Sequence, residues 1–180
     1  MSLKSFAAKI FAKNIAKKTA KWVNNPIQTQ EEVFQSLISN AKNTDFGKDH
    51  NFSQIKSHSD FANKVPIRDY EELKGYVEKV VAGQKDILWP GKPAYFAKTS
   101  GTTSGVKYIP ITHESIKYQV EASRNAILNY IHETGNADFV DGKMIFLQGS
   151  PEMKEKNGIK IGRLSGISAH YVPNYLQKNR

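Results

Sequence analysis

Residues 98–107 read Lys98-Thr-Ser-Gly-Thr-Thr-Ser-Gly-Val-Lys107, and this stretch decides most of what the sequence indicates about fold and function. Gly101 and Gly105 permit backbone angles that other residues avoid, so the N–H groups of the loop can converge into an anion-binding nest. Hydroxyl side chains add donors, and Lys107 adds a positive charge. The pattern predicts a phosphate-binding loop made of Thr99, Ser100, Gly101, Thr102, Thr103, Ser104, Gly105 and Lys107.

The main alternative from composition is a flexible Ser/Thr/Gly linker. The loop is short, however, and stands between two apolar runs that read as strands, residues 94–97 and 107–109. It is not a Walker-type loop, because Gly-Val-Lys leads into an extended Tyr-Ile-Pro and not into a helix. Further short apolar runs predict strands at residues 87–89 and 144–147, the second of them buried.

Upstream of residue 84 the sequence is predicted to be mostly helical. Leu3, Phe6, Ala7, Ile10, Phe11 and Ile15 recur at helical spacing, with Trp22 and Val23 further on. Capping boxes are predicted at Thr29–Glu32 and Asp69–Glu72, and a short helix capped by Ser59 at Asp60–Lys64. Thr44–Gly47 reads as a turn, Gly83 as a C-terminal cap, and a long helix is expected between Thr112 and Gly135.

The net charge of +9 is concentrated at the N-terminus, where residues 1–24 carry six Lys and no acidic residue. This concentration argues against a nucleic-acid-binding face spread over the fold. Two interpretations of the segment remain open: a first helix that packs on the domain with its lysines in water, or a helix that lies on a membrane surface.

Composition excludes several classes of protein. The chain has no Cys, which rules out disulfides, Cys-ligated zinc and thiol nucleophiles. No apolar run is long enough for a transmembrane helix. The five His show no i, i+4 pair, so no metal site is predicted.

The loop and its surroundings resemble the auxin-responsive-promoter (Gretchen Hagen 3) family of acyl acid amido synthetases, within the adenylate-forming superfamily. The matching stretches are Thr44–His50, Val65–Leu73, Leu88–Pro93, the loop itself, and Lys107–Thr112. The resemblance implies an α/β fold: a mostly helical region, then short strands and a long helix, as part of a large N-terminal domain. We predict a basic amphipathic helix over residues 1–24 and the incomplete N-terminal portion of an adenylate-forming domain over residues 25–180.

The resemblance also implies a ligase that adenylates a carboxylic acid with ATP and Mg²⁺ and then transfers the acyl group to an amino acid. Its partners would be these small molecules and the remainder of the same polypeptide. No nucleic-acid partner and no stable membrane insertion are expected, and the expected location is the cytoplasm. Members run to several hundred residues, so 180 residues alone are expected to be inactive. The motifs that bind adenine and magnesium in relatives are not found after the loop, and no catalytic residue is assigned.

In relatives the helix after the loop contributes to the acyl-acid pocket, which makes Tyr118 and Arg124 the candidate acyl-substrate residues. Two rival functions remain: an acyl-coenzyme A ligase of the phenylacetate type, which shares the loop, or a non-enzymatic membrane-surface or nucleic-acid-binding module driven by residues 1–24.

Overall fold

The computed structural model describes residues 2–99, 106–143, 145, 147 and 149–172. Its α-helices, in chain order, are α1 Leu3–Val23, α2 Pro26–Ala41, α3 Asp45–Asp49, α4 His58–Lys64, α5 Tyr70–Val81, α6 His113–Thr134 and α7 Leu164–Ala169. Its strands are β1 Tyr95–Lys98, β2 Tyr108–Ile111, β3 Lys154–Lys156 and β4 Ile159–Gly162. Single 3-10 turns lie at Phe52–Gln54 and Asp138–Asp141.

The described strands form one mixed sheet in the order β2-β1-β4-β3. β1 pairs antiparallel with β2 and parallel with β4, and the chain crosses from one partner to the other through α6. Such a parallel pair needs a long crossover connection, which the helix supplies. Pro110 lies within β2, where a residue without an N–H is tolerated because β2 is an edge strand.

The sheet separates two apolar clusters, because successive strand side chains face opposite sides. Phe96 of β1 joins Val80 of α5, Ile87, Ile159 and Ile161. The next residue, Ala97, joins Ile111, Ile116 of α6 and Ile167 of α7. Helix α5 therefore covers one face of the sheet, and α6 and α7 cover the other.

Helix α1 packs on α6 through Ala12 and Ile15. Its buried residues are Ser5, Ala12 and Ile15, and the cluster at this contact adds Leu128, Ile131 and Ala137. The predicted helix is confirmed, but the expectation that its apolar stripe packs on the domain is wrong for most of the large members, since Leu3, Phe6, Ile10 and Phe11 remain exposed. Two of the three buried residues of α1, Ser5 and Ala12, are small, so a search for large apolar side chains does not identify the buried face.

Helix α2 begins earlier than predicted. Pro26 stands at its first position, where the missing proline N–H costs no hydrogen bond, and Thr29 lies inside the helix with its N–H donating to Asn25. The predicted Thr29–Glu32 capping box is therefore wrong. Helix α4 likewise starts at His58 with Ser57 as its cap, not Ser59.

The caps of α5 and α6 are confirmed. Asp69 and Glu72 form the predicted capping box of α5, and Gly83 follows the helix at φ 89°. Thr112 caps α6, which ends at Gly135 with φ 68°. Thr44–Gly47 was predicted as a turn, but Thr44 instead caps the short helix α3.

Two predicted strands are absent from the described residues. The backbone of residues 86–89 makes its hydrogen bonds elsewhere: the N–H groups of Asp45 and Phe46 donate to the carbonyls of Asp86 and Ile87. These bonds satisfy the start of α3, and a separate hydrogen bond from the Asp86 N–H to the Gly91 carbonyl closes residues 86–91 into a bend. In residues 144–147, Ile145 and Leu147 are 89% and 96% exposed and belong to no strand, while Met144 and Phe146 lie outside the described residues.

Candidate functional site

The β1–β2 hairpin brings the two ends of the predicted phosphate loop together. Lys98 pairs with Tyr108, and one step further the N–H of Thr99 donates to the carbonyl of Lys107 at 3.3 Å. Ser100, Gly101, Thr102, Thr103, Ser104 and Gly105 lie outside the described residues. The sheet thus positions the first and last members of the predicted site.

The start of α5 supports the C-terminal end of the loop through Tyr70. Its hydroxyl oxygen accepts a hydrogen bond from the backbone N–H of Tyr108 at 2.9 Å. Its ring lies 5.1 Å from the Nζ of Lys107, within the range of a cation–π interaction. Tyr70 therefore contacts both Lys107 and the strand that follows it.

Sequence reasoning missed Tyr70 as a site residue. Its signal was nevertheless present, because it follows the Asp69 cap inside the Val65–Leu73 stretch that carries the family resemblance. The contact joins residues 38 positions apart, which no local pattern can reveal.

Helix α6 begins directly after β2, at the end of that strand away from the loop, and places a carboxylate there. Glu114 is in the first turn of the helix, and Thr112 caps it. A backbone N–H of that turn, followed by the Thr112 hydroxyl, holds the pKa of Glu114 below its ordinary value. A carboxylate in the first turn of a helix is also favoured by the helix dipole.

The two candidate acyl-substrate residues lie on α6 but on different faces. Tyr118 is 71% exposed. The guanidinium of Arg124 lies 5.9 Å from the ring of Phe11 on α1 and donates to the Oδ1 of Asn125. Six positions at roughly 100° each place the two side chains about 120° apart around the helix axis. The structure does not bring them together, and the acyl-substrate role of each stays a prediction.

Two aromatic side chains pack against each other on the face of the sheet that α6 and α7 cover. The hydroxyl of Tyr171 donates to the hydroxyl oxygen of Tyr95 at 3.0 Å, and their rings meet edge to face. Burial, together with this hydrogen bond, raises the pKa of Tyr171 to about 12. The pair joins the segment after α7 to the start of β1.

The described residues contain no group of three or more His, Cys, Asp or Glu side chains that could hold a metal ion. His50 is buried, stacks on Phe46 and places its Nδ1 2.8 Å from the Phe46 carbonyl, which is a packing role. Across the part of the chain that the structure covers, no helix is both long and apolar enough to cross a bilayer.

Comparison with known proteins decides the family. The model of the GH3 family N-terminal domain matches residues 15–178, which is most of the chain. The chain belongs to the GH3 family. The match spans the hairpin, the loop and α6, and it confirms the family resemblance drawn from Thr44–His50, Val65–Leu73 and the loop.

Individual GH3 relatives agree with this assignment. The chain is 28% identical over 141 residues to the indole-3-acetic acid-amido synthetase GH3.15 of Arabidopsis thaliana. It is 24% identical over 136 residues to the jasmonoyl-L-amino acid synthetase JAR4 of Nicotiana attenuata. These matches cover 76% and 74% of this chain but 23% of each relative, so the chain spans about a quarter of the length of these GH3 proteins.

Solved GH3 structures confirm the predicted fold class. The AtGH3.15 acyl acid amido synthetase in complex with 2,4-DB superimposes with a TM-score of 0.77 over 93% of this chain and 29% of its own, at 20% identity. A second GH3.15 acyl acid amido synthetase structure gives 0.70 over 79% of this chain and 26% of its own. The mostly helical region with a small mixed sheet is thus the N-terminal fold of this family.

Proposed function

We propose that this chain is the nucleotide-phosphate-binding part of an ATP-dependent acyl-acid amido synthetase. The observation that carries the proposal is the family match over residues 15–178, which includes the Thr99–Lys107 loop on its hairpin. The relatives are named as an indole-3-acetic acid-amido synthetase and a jasmonoyl-L-amino acid synthetase. A carboxylic acid and an amino acid are accordingly the proposed substrates, together with ATP.

The proposed reaction has two steps. A carboxylate oxygen attacks the α-phosphorus of ATP and pyrophosphate leaves, which converts a poor electrophile into an acyl-adenylate. The amine of the amino acid then attacks the acyl carbon, AMP leaves, and the amine loses a proton. The first step concentrates negative charge on the phosphates, so fixed donors and a cation lower its barrier.

The loop residues are proposed to supply these donors, and Lys107 the cation. Support comes from the closed hairpin, which holds Thr99 opposite Lys107. It also comes from Tyr70, whose ring lies beside the Lys107 ammonium group. A lysine side chain that already lies against an aromatic ring loses less conformational freedom when it binds a phosphate than a lysine side chain without such a contact.

Magnesium enters the proposal only as an ion that the nucleotide phosphates bind. Mg²⁺ is commonly held by substrate phosphates and one or two carboxylates, without a dedicated protein cage. The described residues offer no cluster of ligands for it, so we derive no step through the metal. A cytoplasmic location and a domain boundary near residue 24 likewise stay predictions.

The remainder of a protein of the relatives' length is proposed to complete the site and the second step. Ile145 and Leu147 support this view, because two large apolar side chains this close in sequence and almost fully exposed are typical of a surface that another part of a protein covers. The 180-residue chain by itself is expected to show no ligase activity.

The test is exchange of labelled pyrophosphate into ATP by a protein of the relatives' length that contains this chain. Exchange that depends on one acid from a panel of aryl and alkyl acids, without any amino acid, would establish adenylation. Release of AMP on adding amino acids would establish the amido synthetase. No acid-dependent exchange across the panel would contradict the proposal, and a thioester formed with coenzyme A but no amide would favour the coenzyme A ligase.

A further inference from the structure

Helix α1 leaves three large apolar side chains of its first turns exposed in the described fold. Its contact with α6 uses Ala12 and Ile15, and the Ser5 hydroxyl bonds to Ala137 and Asp141 after α6. Leu3, Phe6 and Ile10 are 84%, 50% and 52% exposed. Because these three follow one another at steps of three and four, they form a single exposed stripe along the first turns of the helix.

A row of positive charge continues beside this apolar stripe. Lys9, Lys13, Lys17 and Lys21 repeat every four residues, so they are neighbours on the helix surface. Such like-charge pairs destabilise a helix unless something neutralises them. The ion pairs among the described residues are Lys74–Glu71 and Lys79–Asp45, and neither involves this row.

The family match does not include the apolar stripe. The GH3 model begins to match at residue 15, so Leu3, Phe6 and Ile10 precede the residues that it matches. The packing of α1 does not account for it either, since Ala12 and Ile15, which pack in the buried cluster, lie on another face of the helix. The stripe and the lysine row therefore need a separate explanation.

We infer that α1 is a peripheral docking helix for an anionic lipid surface. The stripe of Leu3, Phe6 and Ile10 enters the boundary between headgroups and acyl chains, while the lysine row lies on the headgroups. Basic helices with an exposed apolar face bind in this way, without spanning the bilayer. Each lysine near an anionic surface contributes about fivefold in affinity.

The stripe favours lipid over nucleic acid as the partner. A phosphate backbone neutralises lysines but gives large apolar side chains nothing to contact. A lipid surface satisfies both features with one orientation of the helix. This docking surface is independent of the phosphate loop, so it stands whether or not the proposed ligase activity is found.

The experiment is co-sedimentation of a protein of the relatives' length that contains this chain with phosphatidylcholine vesicles, with and without phosphatidylglycerol. We expect binding to the phosphatidylglycerol vesicles that weakens as salt is added. Phe6→Ser/Ile10→Ser should weaken this binding at least about tenfold, since burial of two such side chains is worth that much. Lys13→Gln/Lys17→Gln should weaken it about 25-fold, at about fivefold for each lysine.

Matched controls are available on the same chain. Val33 and Leu37 of α2 are 54% and 52% exposed, so Val33→Ser/Leu37→Ser removes apolar surface of the same exposure elsewhere. Lys42→Gln/Lys117→Gln removes two exposed lysines outside α1. Both control pairs should leave vesicle binding unchanged within about twofold.

Three results would overturn the inference. The first is no binding to phosphatidylglycerol vesicles. The second is that Phe6→Ser/Ile10→Ser leaves vesicle binding unchanged, or that the parent chain binds duplex DNA as well as vesicles and this variant leaves both unchanged. The third is a fall in melting temperature for that variant beyond the Val33→Ser/Leu37→Ser control, or its conversion from dimer to monomer in light scattering, since either would show that protein already covers the stripe.

Discussion

The hydroxyl oxygen of Tyr70 accepts the backbone N–H of Tyr108 at 2.9 Å, which fastens the first residue of α5 to the first residue of β2. The hairpin is thereby held at the point where the phosphate loop rejoins the sheet. The Tyr70 ring also lies beside the Lys107 ammonium group, so one side chain contacts both the start of β2 and the cation.

Removing the Tyr70 hydroxyl tests this relationship. Tyr70→Phe keeps the ring but leaves the Tyr108 N–H without its acceptor, so the free energy of unfolding should fall by about 0.5–1.5 kcal/mol. Urea denaturation measures the change. Tyr118→Phe, at a largely exposed site on α6, is the control and should have no effect. Equal stability of the two variants would contradict the bracing role.

The packing face of α1 predicts opposite outcomes for two alanines on the same helix. Ala12 is fully buried against α6, so Ala12→Leu should overpack the contact and cost about 1–3 kcal/mol. Ala7 is exposed, and Ala7→Leu should change stability by less than about 0.5 kcal/mol. Thermal unfolding of both variants would decide, and a greater loss for Ala7→Leu would mean that the helix is seated on its other face.

Two glycines should respond in opposite directions to substitution by alanine. A Cβ at Gly47 would collide with the carbonyl oxygen of Ala41, so Gly47→Ala should destabilise the protein by more than about 2 kcal/mol. Gly75 lies inside α5 with open space around it, so Gly75→Ala should stabilise by about 0.4–1 kcal/mol. Chemical denaturation compares them, and a tolerated Gly47→Ala would show that the α2–α3 turn is looser than described.

Asp141 should make stability depend on acid pH. Hydrogen bonds from the hydroxyls of Ser2 and Ser5 hold its pKa below the ordinary value. A carboxyl with a lowered folded pKa stabilises the protein above its unfolded pKa of about 3.9, and this stabilisation is lost as the pH falls through the folded pKa. Between neutral pH and that range, the free energy of unfolding should therefore depend less on pH for Asp141→Asn than for the parent chain. Unfolding curves recorded at several pH values measure this.

The control for Asp141 is Asp138→Asn, at the start of the same 3-10 turn. It should retain the acid dependence of the parent chain. If both variants kept that dependence, the Ser2 and Ser5 hydrogen bonds would not be its source.

The loop itself predicts weakened ATP use in a protein of the relatives' length. Gly101→Val removes backbone freedom, Lys107→Ala removes the cation, and Ser104→Ala removes a donor worth about 1–3 kcal/mol if it meets a charged phosphate. Calorimetric ATP titrations and turnover measure the effect, with Lys42→Ala as the control. A flexible linker predicts that all three changes are silent, and that result would remove the phosphate-loop assignment.

Much of the local structure was predictable because it depends on hydrogen bonds between residues three or four positions apart. The Asp69–Glu72 box and the Thr112 and Gly135 caps are of this kind, and all three are found as predicted. Local signals also compete with one another, and there the prediction failed: Pro26 starts α2 three residues before the Thr29 signal, and Ser57 outcompetes Ser59.

The sequence by itself determined the family, the α/β class and the phosphate loop as a hypothesis, because these depend on residue types in a fixed local order. Only the tertiary structure decided which side of α1 is buried, that residues 86–91 cap α3 instead of forming a strand, and that Tyr70 stands beside Lys107. Each of these joins segments far apart in the chain. Their partners are chosen by the packing of the whole fold, which periodicity and local propensity do not encode.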